Sequence, residues 1–136
     1  YEKPTSSFVA QFIGENNQIN GKVKSINGET CVVETNTGEN IKALKINISN
    51  VGDNSLISLR PERVYINSKD KFDNNFDAKV KELIYLGDHI RTRLEICGND
   101  QFIVKVPNSH MGLKLEEGSS VKLSWKTEDS RALEAR

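Results

Sequence analysis

A chain of 136 residues has room for one domain or two small ones, and at this length folding buries about 65 to 70% of the surface that the unfolded chain exposes. Its nineteen basic and nineteen acidic side chains cancel, which excludes a surface that gathers nucleic acid by overall positive charge but leaves room for a local basic face. No stretch approaches the roughly 18 apolar residues of a membrane-spanning helix, and Cys31 and Cys97, with no Cys-x-x-Cys pair and no signal-peptide pattern, read as reduced, buried, small apolar side chains.

The chain starts at Tyr1, and Pro4 with Thr5-Ser6-Ser7 runs straight into an apolar segment, as in a piece taken from something longer. Residues 5–14 predict one short helix. Ser6 or Ser7 supplies the cap, Phe8, Val9, Phe12 and Ile13 share a face, and Gly14 stops it. From Ile19 the periodicity changes to two, the spacing of a half-buried strand. Val23 with Ile26, Cys31-Val32-Val33, Ile41 with Leu44 and Ile46, and Leu56 to Leu59 mark strands separated by Asn27-Gly28, Thr37-Gly38 and Gly52-Asp53-Asn54. After a polar link, 68–75, the pattern restarts as Ala78 to Tyr85, Ile90 to Ile96, Phe102 to Val106 and Val121 to Trp125. Many short strands at close spacing predict an all-β chain of small barrels.

Both restarts open alike, with Gly21-Lys22-Val23-Lys24 and Ala78-Lys79-Val80-Lys81. This internal repeat predicts two units of similar build, placed in tandem or completed by strands exchanged between them. The halves are set at 19–67 and 76–136, with 68–75 as an exposed link that tolerates insertion.

Catalytic chemistry is hard to find. A phosphate-binding loop needs Gly-x-x-x-x-Gly-Lys followed by Ser or Thr, and the 136 residues contain none. Two histidines, His89 and His110, are too few for an ordinary zinc site. Asp88-His89 reads as a turn or interface pair, and His110 as a loop residue. Arg91 and Arg93 alternate on one strand face near Lys79 and Lys81, a stripe that would hold single-stranded nucleic acid if aromatics were free to stack. Arg60 and Glu62 flank Pro61, which ends or bends its strand and suits a corner that meets a neighbour. Trp125 closes a strand and is expected to seal a barrel end while its indole N–H finds a partner.

Four landmarks resemble one family in the same order: Phe8 to Glu15, Leu59-Arg60-Pro61-Glu62-Arg63, Tyr85-Leu86-Gly87-Asp88-His89, and Val121 to Trp125 running on through Glu128-Asp129-Ser130-Arg131-Ala132-Leu133. Together they resemble the C-terminal part of the ATP-binding subunit of bacterial import ABC transporters, nearest to the spermidine/putrescine type. The resemblance implies a transport-associated oligonucleotide-binding-like (TOBE) domain over 19–136 and, over 1–18, the last helix or linker of the nucleotide-binding domain. It implies oligonucleotide-binding (OB)-like barrels, ATP and Mg handled elsewhere in the parent protein, no cofactor held here, and no hydrolysis by this segment. The implied partners are a second copy of the domain, the nucleotide-binding domain of its own chain and the membrane subunits, at the cytoplasmic face of the inner membrane, with no nucleic acid. A self-complementary contact face is expected to draw on Arg60, Glu62, Asp88, His89, Arg91 and Trp125. Two other readings stay open at this point: a domain sensing an oxyanion or small ligand, as in iron or phosphonate importers, and a free-standing OB-type nucleic-acid-binding protein.

Overall fold

The computed structural model describes residues 16–107 and 115–135. The helix expected over 5–14 and the loop histidine His110 lie outside the described residues. Ten strands and two short 3-10 turns make up the regular structure described, in two sheets. The first is a closed barrel in the order β1 (Asn17–Asn27), β2 (Thr30–Thr35), β3 (Asn40–Lys45), β10 (Ser130–Glu134), β4 (Asn54–Leu59). The second is an open five-stranded sheet in the order β5 (Tyr65–Ile66), β9 (Ser120–Trp125), β6 (Asn74–Tyr85), β7 (His89–Ile96), β8 (Asn99–Pro107).

The repeat read from Lys-Val-Lys is real, and it extends to the hydrogen bonds. β1 pairs with β2 and β4, and β6 pairs with β7 and β9 in the same antiparallel sense. Each long strand slips register just after its central valine, between Val23 and Ser25 in one and Val80 and Glu82 in the other. Such a bulge bends a strand and increases its twist, which a small barrel requires. At each bulge the valine meets the same kind of turn: Gly52 N donates to Val23 O at 2.8 Å, and Gly118 N donates to Val80 O at 2.7 Å.

The two units are interlocked. After β4 the chain passes through the turn Pro61–Arg63 and supplies β5 to the second sheet, where Tyr65 pairs with Ser124 and Ile66 with Leu123. After β9 it passes through the turn Thr127–Asp129 and returns β10 to the first barrel, antiparallel to β4 and parallel to β3. Each unit is therefore finished by the strand that follows the other. The halves 19–67 and 76–136 do not coincide with the sheets, since 65–66 belongs to the second sheet and 130–134 to the first. β10 was not read from the sequence. Five residues, Ser-Arg-Ala-Leu-Glu, are too few for a periodicity to register, and the segment is extended because an open barrel edge is there to receive it.

Two asparagines at the starts of the long strands hold the units together. Asn17 Nδ2 donates to Ile103 O at 2.6 Å and Ile103 N donates to Asn17 Oδ1 at 2.7 Å. Asn74 does the same for Lys42, with N–H to Oδ1 at 2.8 Å and Nδ2 to the carbonyl at 3.0 Å. In each pair a side-chain amide stands in for the next strand's peptide, satisfying one donor and one acceptor on the edge strand β8 in the first case and on β3, just ahead of its pairing with β10, in the second. Both asparagines are buried. The link 68–75 is accordingly exposed only in part: Phe72 stacks on Tyr65 at 5.1 Å between centroids, and Asn74 is one of the two clamps.

One apolar core joins the halves, from Ile19, Val33 and Ile57 in the first barrel to Val80, Leu94, Phe102 and Trp125 in the second sheet. At Gly21 the backbone of the first barrel is closely approached by β2. A Cβ there would collide with the Glu34 carbonyl and lie 2.8 Å from Val33 Cγ1, while the matching position of the repeat, Ala78, carries its Cβ without difficulty.

Candidate functional site

The expected contact residues fall in three places. The single turn of 3-10 helix begun by Pro61 carries Arg60, Glu62 and Arg63 around a sharp bend, because Pro61 removes a backbone donor and its ring is buried. Arg60 and Arg63 line a hollow of about 240 Å³ together with Glu128 and Asp129 from the second 3-10 turn, plus Asn16, Ser58 and Arg131. The Leu-Arg-Pro-Glu-Arg and Glu-Asp-Ser-Arg segments, far apart in sequence, meet there because the exchanged strands bring the two turns together. No ion pair joins Arg60 or Arg63 to Glu128 or Asp129 among the described residues. Charges of both signs thus share the hollow, which favours neither a lone anion nor a lone cation and suits a protein surface of mixed charge.

Glu62 faces elsewhere, into a slot of about 530 Å³ between β5 and β8 whose walls include Val64, Ile66, Val106 and Pro107. The first barrel is closed at the corresponding seam, where Arg131 pairs with Leu44 and Ala132 with Lys45. The second is not, since β5 has only two residues and pairs with β9 alone.

Asp88 and His89 form the tip of the β6–β7 hairpin. Leu86 N donates to His89 O at 2.9 Å and closes the turn. His89 Nδ1 lies 2.7 Å from Asp88 Oδ1, and this hydrogen bond holds the Asp88 carboxyl below the ordinary carboxylate range. Beside them Ile84, Tyr85 and Leu86 are exposed, Tyr85 to 71%. No Ser, Cys or Lys nucleophile stands in hydrogen-bond contact with His89 among the described residues, so the pair shapes a turn rather than a triad. Arg91, further along β7, is exposed.

Trp125 behaves differently from the other candidates. It is fully buried, 5.3 Å from Phe76 and 6.0 Å from Phe102 between ring centroids, and takes no part in a surface. Its indole N–H, expected to find a partner, has none among the described residues. Its ring packs against both Phe76 and Phe102.

Two of the four side chains of the basic stripe, Arg93 and Lys81, are paired within the sheet, while Arg91 and Lys79 are in no ion pair among the described residues. Arg93 Nε donates to Glu82 Oε1 at 3.3 Å and its Nη1 to Asp100 O at 2.9 Å, and Lys81 pairs with Glu95 at 3.3 Å. Of the three nearby aromatics Phe102 and Trp125 are buried and cannot stack on bases, which leaves Tyr85 alone at the hairpin tip and no row of rings along the stripe among the described residues.

Sequence reading missed a cleft at the junction of the units, about 470 Å³, lined by amides that include Gln18, Asn20, Asn36, Asn99 and Gln101 and by Cys97. Cys97 occupies a left-handed position, φ 52°, in the turn it shares with Gly98, where Asn, Asp or Gly is usual. It is half-buried rather than core. Burial, with the charge and hydrogen bond of the Glu39 carboxylate, pushes its thiol to about 12. Glu39 also accepts from the Thr35 hydroxyl at 2.6 Å and from the Thr37 hydroxyl, which hold its carboxyl below the ordinary value. The cleft is thus a hydrogen-bonded seam: Asn99 Nδ2 reaches Gln18 O at 2.9 Å across it. Among the described residues no group of three or more His, Cys, Asp or Glu is placed to hold a metal ion, and no helix is long and apolar enough to cross a membrane.

A pair of five-stranded units interlocked through their last strands, with a charged corner built from two 3-10 turns, defines a class of small β-domain, and the family model described as TOBE domain matches residues 57–133. The chain belongs to that family. Among individual proteins it is similar to the spermidine/putrescine import ATP-binding protein PotA of Trichodesmium erythraeum, 35% identical over 121 residues that cover 83% of this chain and 32% of the relative. The protein of the same name from Roseobacter denitrificans is 34% identical over 89% of this chain and 34% of its own length, and that from Thermotoga maritima 31% identical over 98% and 38%. The chain thus spans about a third of the length of these curated relatives. Among solved structures, the cytoplasmic molybdate-binding protein ModG aligns over 88% of this chain and 96% of its own with a TM-score of 0.71 and 14% identity, a likeness of fold alone.

Proposed function

We propose that this chain is the C-terminal regulatory and dimerising domain of the ATP-binding subunit of an importer of polyamines, spermidine and putrescine. The observation that carries the reading is the match to spermidine/putrescine import ATP-binding proteins along nearly the whole chain, including the segments that build the charged corner. The domain acts by contact. Arg60, Glu62, Asp88, His89 and Arg91 meet protein neighbours, which are a second copy of the domain, the nucleotide-binding domain of the same subunit and, through it, the membrane subunits. Trp125 supports them from the core. ATP and Mg belong to the rest of the subunit, since these 136 residues contain no phosphate-binding loop. The subunit works at the cytoplasmic face of the inner membrane, held there by its membrane partners.

A contact domain biases closure of the two ATPase subunits by a coupling of about 1 to 3 kcal/mol, roughly five- to 150-fold. The test is to replace Arg60 and Arg63 by glutamate in the full-length subunit and measure polyamine uptake and ATPase rate in the assembled transporter. Uptake and its coupling to ATP hydrolysis should fall at least fivefold, at the lower end of that coupling. Unchanged uptake and ATPase rate would refute the reading.

A further inference from the structure

The β6–β7 hairpin tip, an exposed apolar projection, and the slot between β5 and β8 both lie at one end of the second sheet. Register places them there: His89 pairs with Pro107 and Arg91 with Lys105, so the tip borders the strand that forms one wall of the slot. The tip is an apolar knob, with Ile84, Tyr85 and Leu86 exposed to 38, 71 and 43%. Three consecutive large apolar side chains presented to water on a small domain mark a contact surface rather than ordinary scatter. The slot is its counterpart, about 530 Å³ with apolar walls, and exists because β5 is too short to close the seam that β10 closes in the first barrel.

Charge agrees with shape. Arg91, exposed beside the knob, has no ion pair among the described residues, and neither do Glu62 and Asp70 at the slot. A two-fold rotation that brings one knob onto the other molecule's slot necessarily brings the second knob onto the first slot, so every favourable contact is made twice.

We infer that the domain pairs with a second copy of itself by reciprocal insertion of the Tyr85–Leu86 knob into the slot between β5 and β8, with Arg91 of each copy facing Glu62 and Asp70 of the other. This rests on the dimerising part of the proposed function and names the surface. Tyr85 is the anchor, as large aromatics seated in a partner's pocket generally are.

The experiment is sedimentation velocity of the 136-residue chain over a range of concentration, with far-UV circular dichroism and urea unfolding to verify that each variant is folded. A concentration-dependent dimer is expected. Tyr85→Ser with Leu86→Ser should weaken it by about thirtyfold or more, the size of a lost interface anchor. Arg91→Glu should weaken it about tenfold, and adding Glu62→Lys and Asp70→Lys to the same chain should restore most of that loss. A dimer indifferent to the tip and slot variants overturns this inference and leaves the regulatory reading, whose own test is uptake by the Arg60 and Arg63 variants. A chain monomeric at every concentration overturns this inference and the dimerising half of that reading together.

Discussion

Replacing Asn17 by alanine removes the amide that completes Ile103 at the join between the two units. Two hydrogen bonds are lost, at 2.6 and 2.7 Å, and the Ile103 N–H and C=O lose the partner supplied from the other barrel. A typical hydrogen bond contributes about 0.5 to 1.5 kcal/mol net, and a buried peptide group left unpartnered costs about 1 to 3 kcal/mol. Ile103 is only half-buried, so water recovers part of the cost, and the expected loss is about 3 kcal/mol, or roughly 10 °C in melting temperature for a chain of this size. Asn17→Asp is the sharper probe. The retained Oδ1 still accepts from Ile103 N, but the second oxygen now faces the Ile103 carbonyl, so at pH 7 the variant should be no more stable than the alanine one. Protonation turns that oxygen into a donor. The folded state therefore raises the aspartate's pKa above its ordinary value of about 3.9, the destabilisation is full above the folded pKa, and it is relieved as pH falls through it. Urea unfolding at pH 7 and pH 4.5, followed by Trp125 fluorescence and circular dichroism together, measures both variants. An alanine variant within about 1 kcal/mol of wild type, or an aspartate variant with no recovery at low pH, would refute the claim that this amide stands in for a strand.

Gly21→Ala should destabilise by about 1 to 3 kcal/mol through overpacking against Glu34 and Val33, while Ala78→Gly at the matching repeat position should cost about 1 kcal/mol or less; equal effects in thermal unfolding would argue against the crowding read at Gly21. Truncation after Asp129 removes β10 and should abolish cooperative unfolding of the first barrel although residues 16–59 are intact; a barrel-one transition that survives, read by amide exchange, would contradict the strand exchange. Cys97, with its thiol pushed to about 12, should alkylate at pH 8 about a thousandfold more slowly than a free cysteine, and Glu39→Gln should accelerate it; reaction at the free-thiol rate would show that burial and Glu39 do not restrain it. Asp73 is held below the ordinary carboxylate value by hydrogen bonds from the Thr127 side chain and backbone, so its contribution is present above about pH 3.9 and lost as pH falls through the folded pKa. The fall in unfolding free energy between pH 5 and pH 2.5 should accordingly be shallower in Asp73→Asn, and identical slopes would refute the assignment.

The placement of the candidate residues on turns was legible in the chain because each turn is local. Pro61 dictates a bend whatever surrounds it, and Gly87-Asp88 dictates a hairpin tip, so Arg60, Glu62, Asp88 and His89 could be placed on turns from neighbouring residues alone. Their grouping could not. Glu62 and Arg60 are two residues apart, yet one faces the slot and the other the charged hollow, because a 3-10 turn sends successive side chains in different directions. Trp125 read as an anchor of a barrel end, and only packing against Phe76 and Phe102 put it wholly inside.

Alternating hydrophobicity, turn residues and the doubled Lys-Val-Lys opening were enough to determine an all-β chain of two like units, since a period of two and a left-handed turn are properties of a few adjacent residues. Which strand completes which unit was decided only in three dimensions. β5 and β10 are too short to carry a pattern of their own, and they become strands because each lands beside the unfinished edge of the other unit. Asn17 and Asn74 likewise look like ordinary polar residues ahead of a strand. Their role as clamps comes from the pseudo-symmetric packing that sets each amide against a peptide of the opposite unit, a coincidence of positions that no local window contains.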